Sequence, residues 1–490
     1  MKKMNLLVMS LVSAAALSFT SCSSNDDLDG DNAGQAKADG FYMTLTVQSP
    51  NASGTRTSVI NPTEFATADE AAIKKGTLYL VDANGEIAFS ENLSNLDWSG
   101  QTDENESSKK DGNKTFKIEV KNVHADNTYK VYFKAGDQEP TEAMNFKPTL
   151  SNIFKTTDKF ATPFAKAENF AMFNQNDADV KGNSHTVVFT SDNKDANSAA
   201  KVSSTINIER LTARIDEPKS EASAIKPYAV DANASDEEKK ANANAVKAVK
   251  SLKLTSYAIS NVANKTNVMQ QWADATTLSI PTGITYFQPT TEFGTKTLLQ
   301  NYNYFNAVTT DRSQKDYIFE NNSSDAATSM YFEYTVELSD DYKTNADFED
   351  GTFYRYNKVI YSRIQDIIDA YKDQKAIFNG QTKDAVVDEL KAAKNDATDP
   401  EAKLDEFRKK YDIEVFNAGK TYYVQKIKDQ YLGVANTIQR NSIYRLNINN
   451  IFNVGAQVPN GEPTENDFYY INVTVTVNPW VLNTEDVDLQ

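Results

Sequence analysis

The stretch Ile471-Asn-Val-Thr-Val-Thr-Val-Asn478 alternates apolar and polar residues without interruption. Its four β-branched aliphatic residues fall on one face, which is the period-2 pattern of a half-buried strand. Pro479 has no N–H to donate and is expected to interrupt the ladder. A weaker apolar alternation follows, made of Trp480, Leu482, Val487 and Leu489. A terminal strand of this kind is expected to be an edge strand or a strand lent to another molecule.

The start of the chain has the pattern of a secretory signal. Lys2 and Lys3 precede an apolar run from Leu6 to Phe19 that is too short to span a bilayer as a mature helix. Small residues then precede Cys22. Because Cys22 is the only cysteine of the chain, an intramolecular disulfide is excluded. This arrangement resembles a bacterial lipobox, so residues 1–21 are predicted to be a lipoprotein signal peptide and Cys22 the lipidated residue. Two acyl chains there give stable outer-membrane attachment. A buried free cysteine is the alternative.

A second alternating stretch lies early in the chain, at Phe41-Tyr-Met-Thr-Leu-Thr-Val-Gln48. Its apolar face consists of Phe41, Met43, Leu45 and Val47. A turn-forming stretch follows and carries Arg56, the first arginine of the chain, in the kind of loop that proteases cut. Proteolysis between Arg56 and Thr57 would remove one complete strand. An ordinary surface arginine, or a cut after Lys37, are the alternatives.

Composition and motifs exclude several classes of function. A net charge of −17 argues against nucleic acid and anionic membrane surfaces as partners. The 24 tyrosines and 25 phenylalanines favour sheet-rich structure. The sequence has no HExxH zinc pattern, no GxSxG nucleophile elbow, no P-loop and no EF-hand spacing. We therefore predict a protein that is not an enzyme and has neither a cofactor nor a metal site.

The pattern of strands and helices predicts two β domains. Residues 57–216 contain clean alternations, as in Thr115 to Val120, and are expected to form the first. A charged, alanine-rich tract within residues 217–249 is expected to be a linker or a solvated helix. Residues 250–490 are expected to form the second, with a helical insertion at residues 357–412.

Two helices are predicted within that insertion. Helical spacing relates six apolar residues: Val359, Ile360, Ile364, Ile367, Ile368 and Tyr371. Asp399-Pro400 reads as an N-cap followed by proline at the first helical position. The helix that begins there would place Leu404, Phe407 and Tyr411 on one face.

Several further segments resemble the fimbrillins, the type V pilins of Bacteroidota. They are Ile208-Glu-Arg-Leu-Thr-Ala-Arg214, Leu254-Thr-Ser-Tyr-Ala-Ile-Ser-Asn261, Arg440-Asn-Ser-Ile-Tyr-Arg-Leu-Asn-Ile448 and Val477-Asn-Pro-Trp480. Together with the lipobox and the strand before Arg56, they occur in the family's order over most of the chain. The helical insertion resembles the shaft subunit of the minor fimbrium more than that of the major one.

The resemblance implies a mainly β protein of two tandem transthyretin-like β-sandwich domains, exported as a lipoprotein to the cell surface. The resemblance also implies that residues 22–56 are a lipidated propeptide. An Arg-specific surface protease would cut after Arg56, and loss of the propeptide would open a groove in the first domain. The C-terminal strand of another copy would fill that groove, with Trp480, Leu482, Val487 and Leu489 as its inserted side chains. The result would be a head-to-tail fimbria that joins anchor and tip subunits and serves adhesion or biofilm formation.

Two other functions stay open at the level of sequence. A non-polymerising surface lipoprotein could bind glycans through exposed aromatic residues, for which the candidates are Trp98, Trp272, Tyr302 and Tyr304. A fimbrial anchor or tip accessory subunit is the other alternative. A removable strand combined with a donor-like tail favours the shaft subunit over both.

Overall fold

The computed structural model describes the chain from residue 40 onward, with gaps. The described residues are 40–48, 64–65, 70, 73–94, 113–147, 150–176, 185–227, 235–287, 305–311, 313–372, 377–429, 432, 434, 436–459 and 471–481. Strands dominate this part of the chain, which confirms the predicted mainly β class. Within it, no helix is long and apolar enough to cross a membrane.

The strands up to residue 220 are short to medium in length. They are β1 (Phe41–Gln48), β2 (Glu64–Phe65), β3 (Lys75–Val81), β4 (Ile87–Ser94), β5 (Asn113–Val120), β6 (Thr128–Ala135), β7 (Ile153–Lys155), β8 (Ala165–Lys166), β9 (Asn169–Phe170), β10 (Met172–Asn174), β11 (Thr186–Val188), β12 (Ala200–Lys201), β13 (Ile206–Arg210), β14 (Ala213–Asp216) and β15 (Lys219–Ser220). Short 3₁₀ turns occupy Thr162–Phe164, Ser191–Lys194 and Ala196–Ser198.

The remaining strands include the longest of the described chain. They are β16 (Val249–Ser260), β17 (Val262–Ala263), β18 (Lys265–Asn267), β19 (Tyr286–Phe287), β20 (Asn306–Ala307), β21 (Lys315–Ile318), β22 (Ser329–Leu338), β23 (Phe353–Tyr356), β24 (Val359–Tyr361), β25 (Glu414–Phe416), β26 (Lys420–Lys426), β27 (Ser442–Ile451) and β28 (Ile471–Val481). The helices are α1 (Asp236–Ala248), α2 (Asp340–Lys343), α3 (Ile364–Ala370), α4 (Lys383–Lys394) and α5 (Pro400–Tyr411). Further 3₁₀ turns lie at Ile377–Gly380 and Asn417–Gly419.

The first sheet has the strand order β12-β1-β13-β10-β6-β3-β4, with β5 paired to β1 and β11 to β6. Alternating apolar residues of these strands form a buried cluster, which we call the N-terminal core. Besides residues of β1, its members include Leu78, Leu80, Ile118, Val120, Val131, Phe133, Met172, Ile206 and Ile208. Ile443 of β27 also belongs to this core, so a strand near the other end of the chain contributes to it.

Two further sheets enclose a second buried cluster, the C-terminal core. One has the order β2-β28-β27-β14-β21, and the other β20-β16-β22-β26. The cluster combines Tyr444, Leu446 and Ile448 of β27 with Leu252 of β16 and Phe332 of β22. Helix α1 adds Ala245 and Ala248 to the same core.

Strand β14 lies at the end of predicted domain 57–216 and β15 at the start of the predicted linker, yet both belong to the sheet of the C-terminal core. Arg214 and Ile215 pair with Ile443 and Tyr444 of β27. Helix α1 occupies much of the tract assigned to the linker, 217–249, and buries its alanine face because alanine packs closely at no cost in side-chain entropy. The domain boundaries and the transthyretin-like topology stay predictions.

The predicted helical insertion contains α3, α4 and α5, which share a buried cluster of their own. The prediction for α5 is confirmed: the Asp399 carboxylate accepts a hydrogen bond from the Ala402 N–H, and Pro400 begins the helix. Leu404, Phe407 and Tyr411 are buried on one face, as their spacing indicates.

The prediction for the first helix of the insertion is wrong at its start. Val359 and Ile360 form strand β24, and α3 begins only at Ile364. Asn357 and Lys358 both adopt positive φ, which builds a two-residue hairpin between β23 and β24. The hairpin pairing therefore overrides the helical spacing of the first two apolar residues.

The prediction that Pro479 interrupts the last strand is also wrong. Strand β28 continues through Pro479 to Val481, and Pro479 lies opposite Ser442 of β27. A proline whose nitrogen faces away from the paired neighbour removes no ladder hydrogen bond, so edge strands tolerate it.

Candidate assembly site

Strand β1 lies between two neighbours rather than at an edge. On one side it pairs antiparallel with β5 along its whole length, from Phe41 opposite Val120 to Gln48 opposite Asn113. On the other side it runs parallel to two separate short strands. Met43 and Thr44 pair with β12, and Val47 and Gln48 pair with β13. The backbone of β1 is therefore used on both sides.

The apolar face of β1 is fully inserted into the N-terminal core. Met43 and Val47 are 0 % exposed, Leu45 1 % and Phe41 4 %. The Phe41 ring lies 5.4 Å from that of Phe189, measured between centroids. These observations confirm the predicted strand and its inward face. Whether the strand is removed stays a prediction.

The opposite face of β1 is polar and partly exposed. The hydroxyls of Thr46 and Thr115 lie 2.9 Å apart across the β1–β5 ladder. The Thr44 carbonyl accepts a hydrogen bond from the Val202 N–H at 3.1 Å, where β12 ends. Taking β1 away would leave an apolar slot between β5 and β13, with backbone groups on both walls. Such a slot accepts an extended peptide, because the main chain supplies affinity and alternate side chains supply register.

Strand β28 has one continuous neighbour. It pairs antiparallel with β27 from Ile451 opposite Ile471 to Ser442 opposite Pro479. Its other side pairs with β2 through two residues only, Glu64 opposite Trp480 and Phe65 opposite Val481. Up to Val481 the C-terminal segment is thus part of the chain's own sheet.

Several predicted site residues lie outside the described residues. They are Cys22, Arg56, Thr57, Leu482, Val487 and Leu489. Trp480 lies within β28, where only the backbone is described. The structure therefore shows the predicted inward residues of β1 buried in the N-terminal core. It places Trp480, the first residue of the predicted tail, beside β2.

A buried ionic cluster joins the two cores through Glu70. Its carboxylate accepts hydrogen bonds from Arg214 Nη1 at 3.1 Å, Lys315 Nζ at 3.2 Å and Tyr317 Oη at 2.8 Å. Its main-chain carbonyl accepts two from the guanidinium of Arg210. Burial lowers the pKa of Arg210 to about 9, whereas burial and then the Glu70 carboxylate raise the pKa of Tyr317. Sequence reasoning missed this cluster. The available signal was a pair of arginines in an otherwise strand-like segment.

A second cluster surrounds Arg440, which is 1 % exposed. Its guanidinium donates to Glu320 Oε2 at 2.7 Å, to the hydroxyl of Thr266 at 3.0 Å and to the carbonyl of Asn267 at 2.7 Å. Multiple charge-assisted bonds of this kind hold a buried arginine in place.

Burial also limits where an Arg-specific protease can act. The chain has nine arginines. Five are buried, namely Arg210, Arg214, Arg355, Arg408 and Arg440. A protease needs an exposed, extended segment around the bond it cuts, so these five positions are protected in the native state.

The aromatic residues considered for glycan binding give no exposed platform in the described chain. Trp272 is partly buried, and its indole N–H donates to the carbonyl of Asn176 at 2.8 Å. Trp98, Tyr302 and Tyr304 lie outside the described residues. Among the described residues, no group of three or more His, Cys, Asp and Glu side chains is placed to hold a metal ion.

Comparison with known proteins gives one family match and several structural likenesses. Residues 414–486 match the family described as major fimbrial subunit protein type IV, fimbrillin, C-terminal. That family consists of fimbrial subunits rather than enzymes. No curated protein matches the chain.

Structural comparison gives likenesses to several solved bacterial proteins. A candidate cell adhesion protein from Parabacteroides distasonis has 13% identity and a TM-score of 0.45, with 92% of this chain and 100% of that chain covered. A fimbrilin from Porphyromonas gingivalis has 15% identity and a TM-score of 0.42, with 90% and 99% covered. The tip fimbrial protein Mfa3 from Porphyromonas gingivalis has 10% identity and a TM-score of 0.35, with 90% and 100% covered. At these scores the likenesses carry no argument about function.

The family match extends from β25 through β28, and it therefore includes the alternating segment 471–478. Residues 414–486 thus match the fimbrillin C-terminal family, and the predicted resemblance to the fimbrillins is confirmed over this part of the chain.

Proposed function

We propose that this protein is a structural subunit of a surface fimbria, of the shaft type found in minor fimbriae. It is exported as a lipoprotein through Cys22 and matured by an Arg-specific surface protease that cuts between Arg56 and Thr57. It then polymerises head to tail by exchange of its C-terminal strand and joins anchor and tip subunits. The fimbria serves adhesion or biofilm formation.

The placement of β1 is the observation that carries this proposal. A strand that lies entirely upstream of a predicted cleavage site fills the middle of a buried core. Its loss would expose a slot that another strand must occupy, because unpaired backbone groups and an open apolar core are unstable. A protein that discards such a strand therefore has a built-in requirement for a partner strand.

The donor in this scheme is the tail that begins at Trp480. Trp480, Leu482, Val487 and Leu489 would enter the slot vacated by Phe41, Met43, Leu45 and Val47. The acceptor slot and the donor tail are unlike surfaces of one chain. A contact between unlike surfaces repeats without closing, so it gives an open filament.

Selective cleavage is supported by the burial of arginine. With five of the nine arginines buried, an Arg-specific protease has few accessible bonds in the folded precursor. The turn-forming sequence around Arg56 suits a protease site.

The test is N-terminal sequencing and intact mass of the protein sheared from cells that produce the wild type or Arg56→Ala. We expect a mature start at Thr57 in high-mass polymers of the wild type, and neither the new start nor the polymers in Arg56→Ala. Arg363→Ala is the matched control, because Arg363 is a partly exposed arginine paired with Asp366 at the start of α3. A polymer built from lipid-modified, uncut chains would contradict the proposal.

A further inference from the structure

The contacts of β1 do not depend on the bond that the protease cuts. Strand β1 ends at Gln48, and Arg56 lies beyond it in the chain. A cut there severs the covalent connection to the rest of the protein and leaves every hydrogen bond and apolar contact of β1 in place. Cleavage and opening of the slot are therefore physically separate events.

The ladders of β1 favour retention of the cut segment. Eight consecutive residues of β1 pair with β5 in one unbroken register. Four of them, Met43, Thr44, Val47 and Gln48, also pair with a parallel strand on the other side. Spontaneous release requires both ladders to break while the slot stays empty. Each broken pair exposes backbone groups that are buried in the native state, and this cost increases along the strand.

The side chains of β1 also favour retention of the cut segment. All four inward residues of β1 are at most 4 % exposed, and Phe41 is held at the far end from the cut by the Phe189 ring. The Lys194 ammonium lies 5.9 Å from the centre of the Phe41 ring, on the 3₁₀ turn Ser191–Lys194. Fraying that starts at Gln48, the end of β1 nearer the cut, therefore still leaves Phe41, Met43 and Leu45 anchored.

We propose, building on the proposed function above, that the cut protein is a stable two-chain complex. The fragment that ends at Arg56 stays in the slot through β1, and the subunit remains capped after proteolysis. Departure of this fragment under competition from a second strand, rather than cleavage, is the step that makes the subunit able to accept a partner. A capped, cut subunit can be stored without exposing an edge that would pair with the wrong chain.

The experiment uses the full secreted precursor. The protein is treated with an Arg-specific protease, and gel filtration with mass spectrometry follows the fragment in native buffer and in guanidinium chloride. We expect the fragment to elute with the body of the protein in native buffer and to separate in denaturant. Separation in native buffer as fast as the bond is cut would overturn the proposal.

A paired variant makes the result specific to β1. Leu45→Ser removes an inward apolar side chain and should speed loss of the fragment at least about tenfold, whereas Thr46→Ser, on the outward face, should not. Equal retention in both variants would overturn the proposal. If Leu45→Ser does not fold, hydrogen exchange of the cut wild type gives the same test. Protected amides from Phe41 to Gln48 support retention, and exchange as in free peptide contradicts it.

This inference and the proposed function can fail separately. If the protease does not cut at Arg56, the proposed maturation is wrong. Retention is then tested by a different protease whose recognition sequence replaces part of residues 49–63. A fragment that stays bound supports the inference whichever protease makes the cut, and a fragment that leaves at once contradicts it.

Discussion

Strands β1 and β28 have nearly the same sequence pattern and opposite places in the fold. Both alternate apolar and polar residues for eight positions or more. Strand β1 is paired on both sides, and its inward face fills the N-terminal core. Strand β28 has one long neighbour and a two-residue contact on its other side. A period-2 pattern therefore identifies a strand and one buried face, but it does not show how many neighbours the strand has.

This difference bears directly on assembly. A strand with two neighbours and a buried face leaves a large defect when it is lost, so its removal creates a demand for a replacement. Strand β28 has its long ladder on one side and only the two-residue contact with β2 on the other, so the chain that follows it can leave without breaking the ladder with β27. The strand that we propose is lost and the strand that we propose leads into the donor tail are thus distinguished by their pairing, not by their composition.

The largest expected effect comes from placing a charge on the inward face of β1. Leu45→Asp buries a carboxylate without a partner and should lower the free energy of unfolding by about 4 kcal/mol or more. Thr46→Asp, on the neighbouring outward face, should cost about 1 kcal/mol or less. Urea unfolding of both variants measures the difference. Equal losses would show that β1 does not have the inward face that the comparison requires.

Substitution in the buried ionic cluster around Glu70, which joins the N-terminal and C-terminal cores, should lower stability almost as much. Glu70→Ala removes one of the two buried carboxylates that contact Arg214, the other being Asp216, and takes a partner from Lys315 and Tyr317 as well. It should cost about 3 kcal/mol. Lys315→Met removes a partner that is 30 % exposed and should cost about 1 kcal/mol or less. Thermal unfolding followed by calorimetry gives both values. A Glu70→Ala loss as small as that of Lys315→Met would contradict the role of this cluster.

The stability of the protein should depend on pH through His185. Burial lowers the pKa of His185, which precedes β11, so the native state prefers the neutral imidazole. Between that lowered pKa and the ordinary value of about 6.5, the unfolded chain binds more protons, so stability falls as the pH drops through this window. His185→Gln should flatten that slope. Urea midpoints between about pH 5 and 8 measure it, and an unchanged slope in the variant would refute the assignment.

The smallest effect on stability is expected at Pro479 in strand β28. Pro479→Thr restores a backbone N–H opposite Ser442 and should change the free energy of unfolding by about 0.5 kcal/mol at most. The effect is small because this N–H faces away from β27, the one long neighbour of β28. Equilibrium unfolding of the variant tests this. A gain well above 1 kcal/mol would mean that the outer side of β28 is hydrogen-bonded at Pro479 too, which contradicts a contact with β2 that is limited to Trp480 and Val481.

Local sequence patterns account for part of this structure. The bounds and inward face of β1 follow from strict alternation, and the start of α5 follows from an aspartate N-cap with proline next to it. Both features are decided by neighbours in sequence. The turn at Asn357 and Lys358 could in principle be predicted from the sequence, but the helical spacing of the apolar residues that follow favours a helix there.

Other features depend on partners that a single sequence does not reveal. Glu70 and Lys315 are separated by 245 positions, and nothing local to either indicates the other. The continuation of β28 through Pro479 depends on which side of the strand β27 occupies. The parallel pairing of β14 with β27 likewise joins segments that lie far apart. Long-range pairing of this kind is set by the tertiary fold, so it had to come from the structure.

The most direct test of the central claim mixes two disabled subunits. One is Arg56→Ala, which keeps β1 covalently in place and can only donate its tail. The other is cut after Arg56 and lacks residues 482–490, so it can only accept. We predict that neither polymerises alone and that the mixture gives a one-to-one complex and nothing longer by native mass spectrometry. No complex in the mixture, or filaments from either subunit alone, would contradict strand exchange between the slot of β1 and the C-terminal tail.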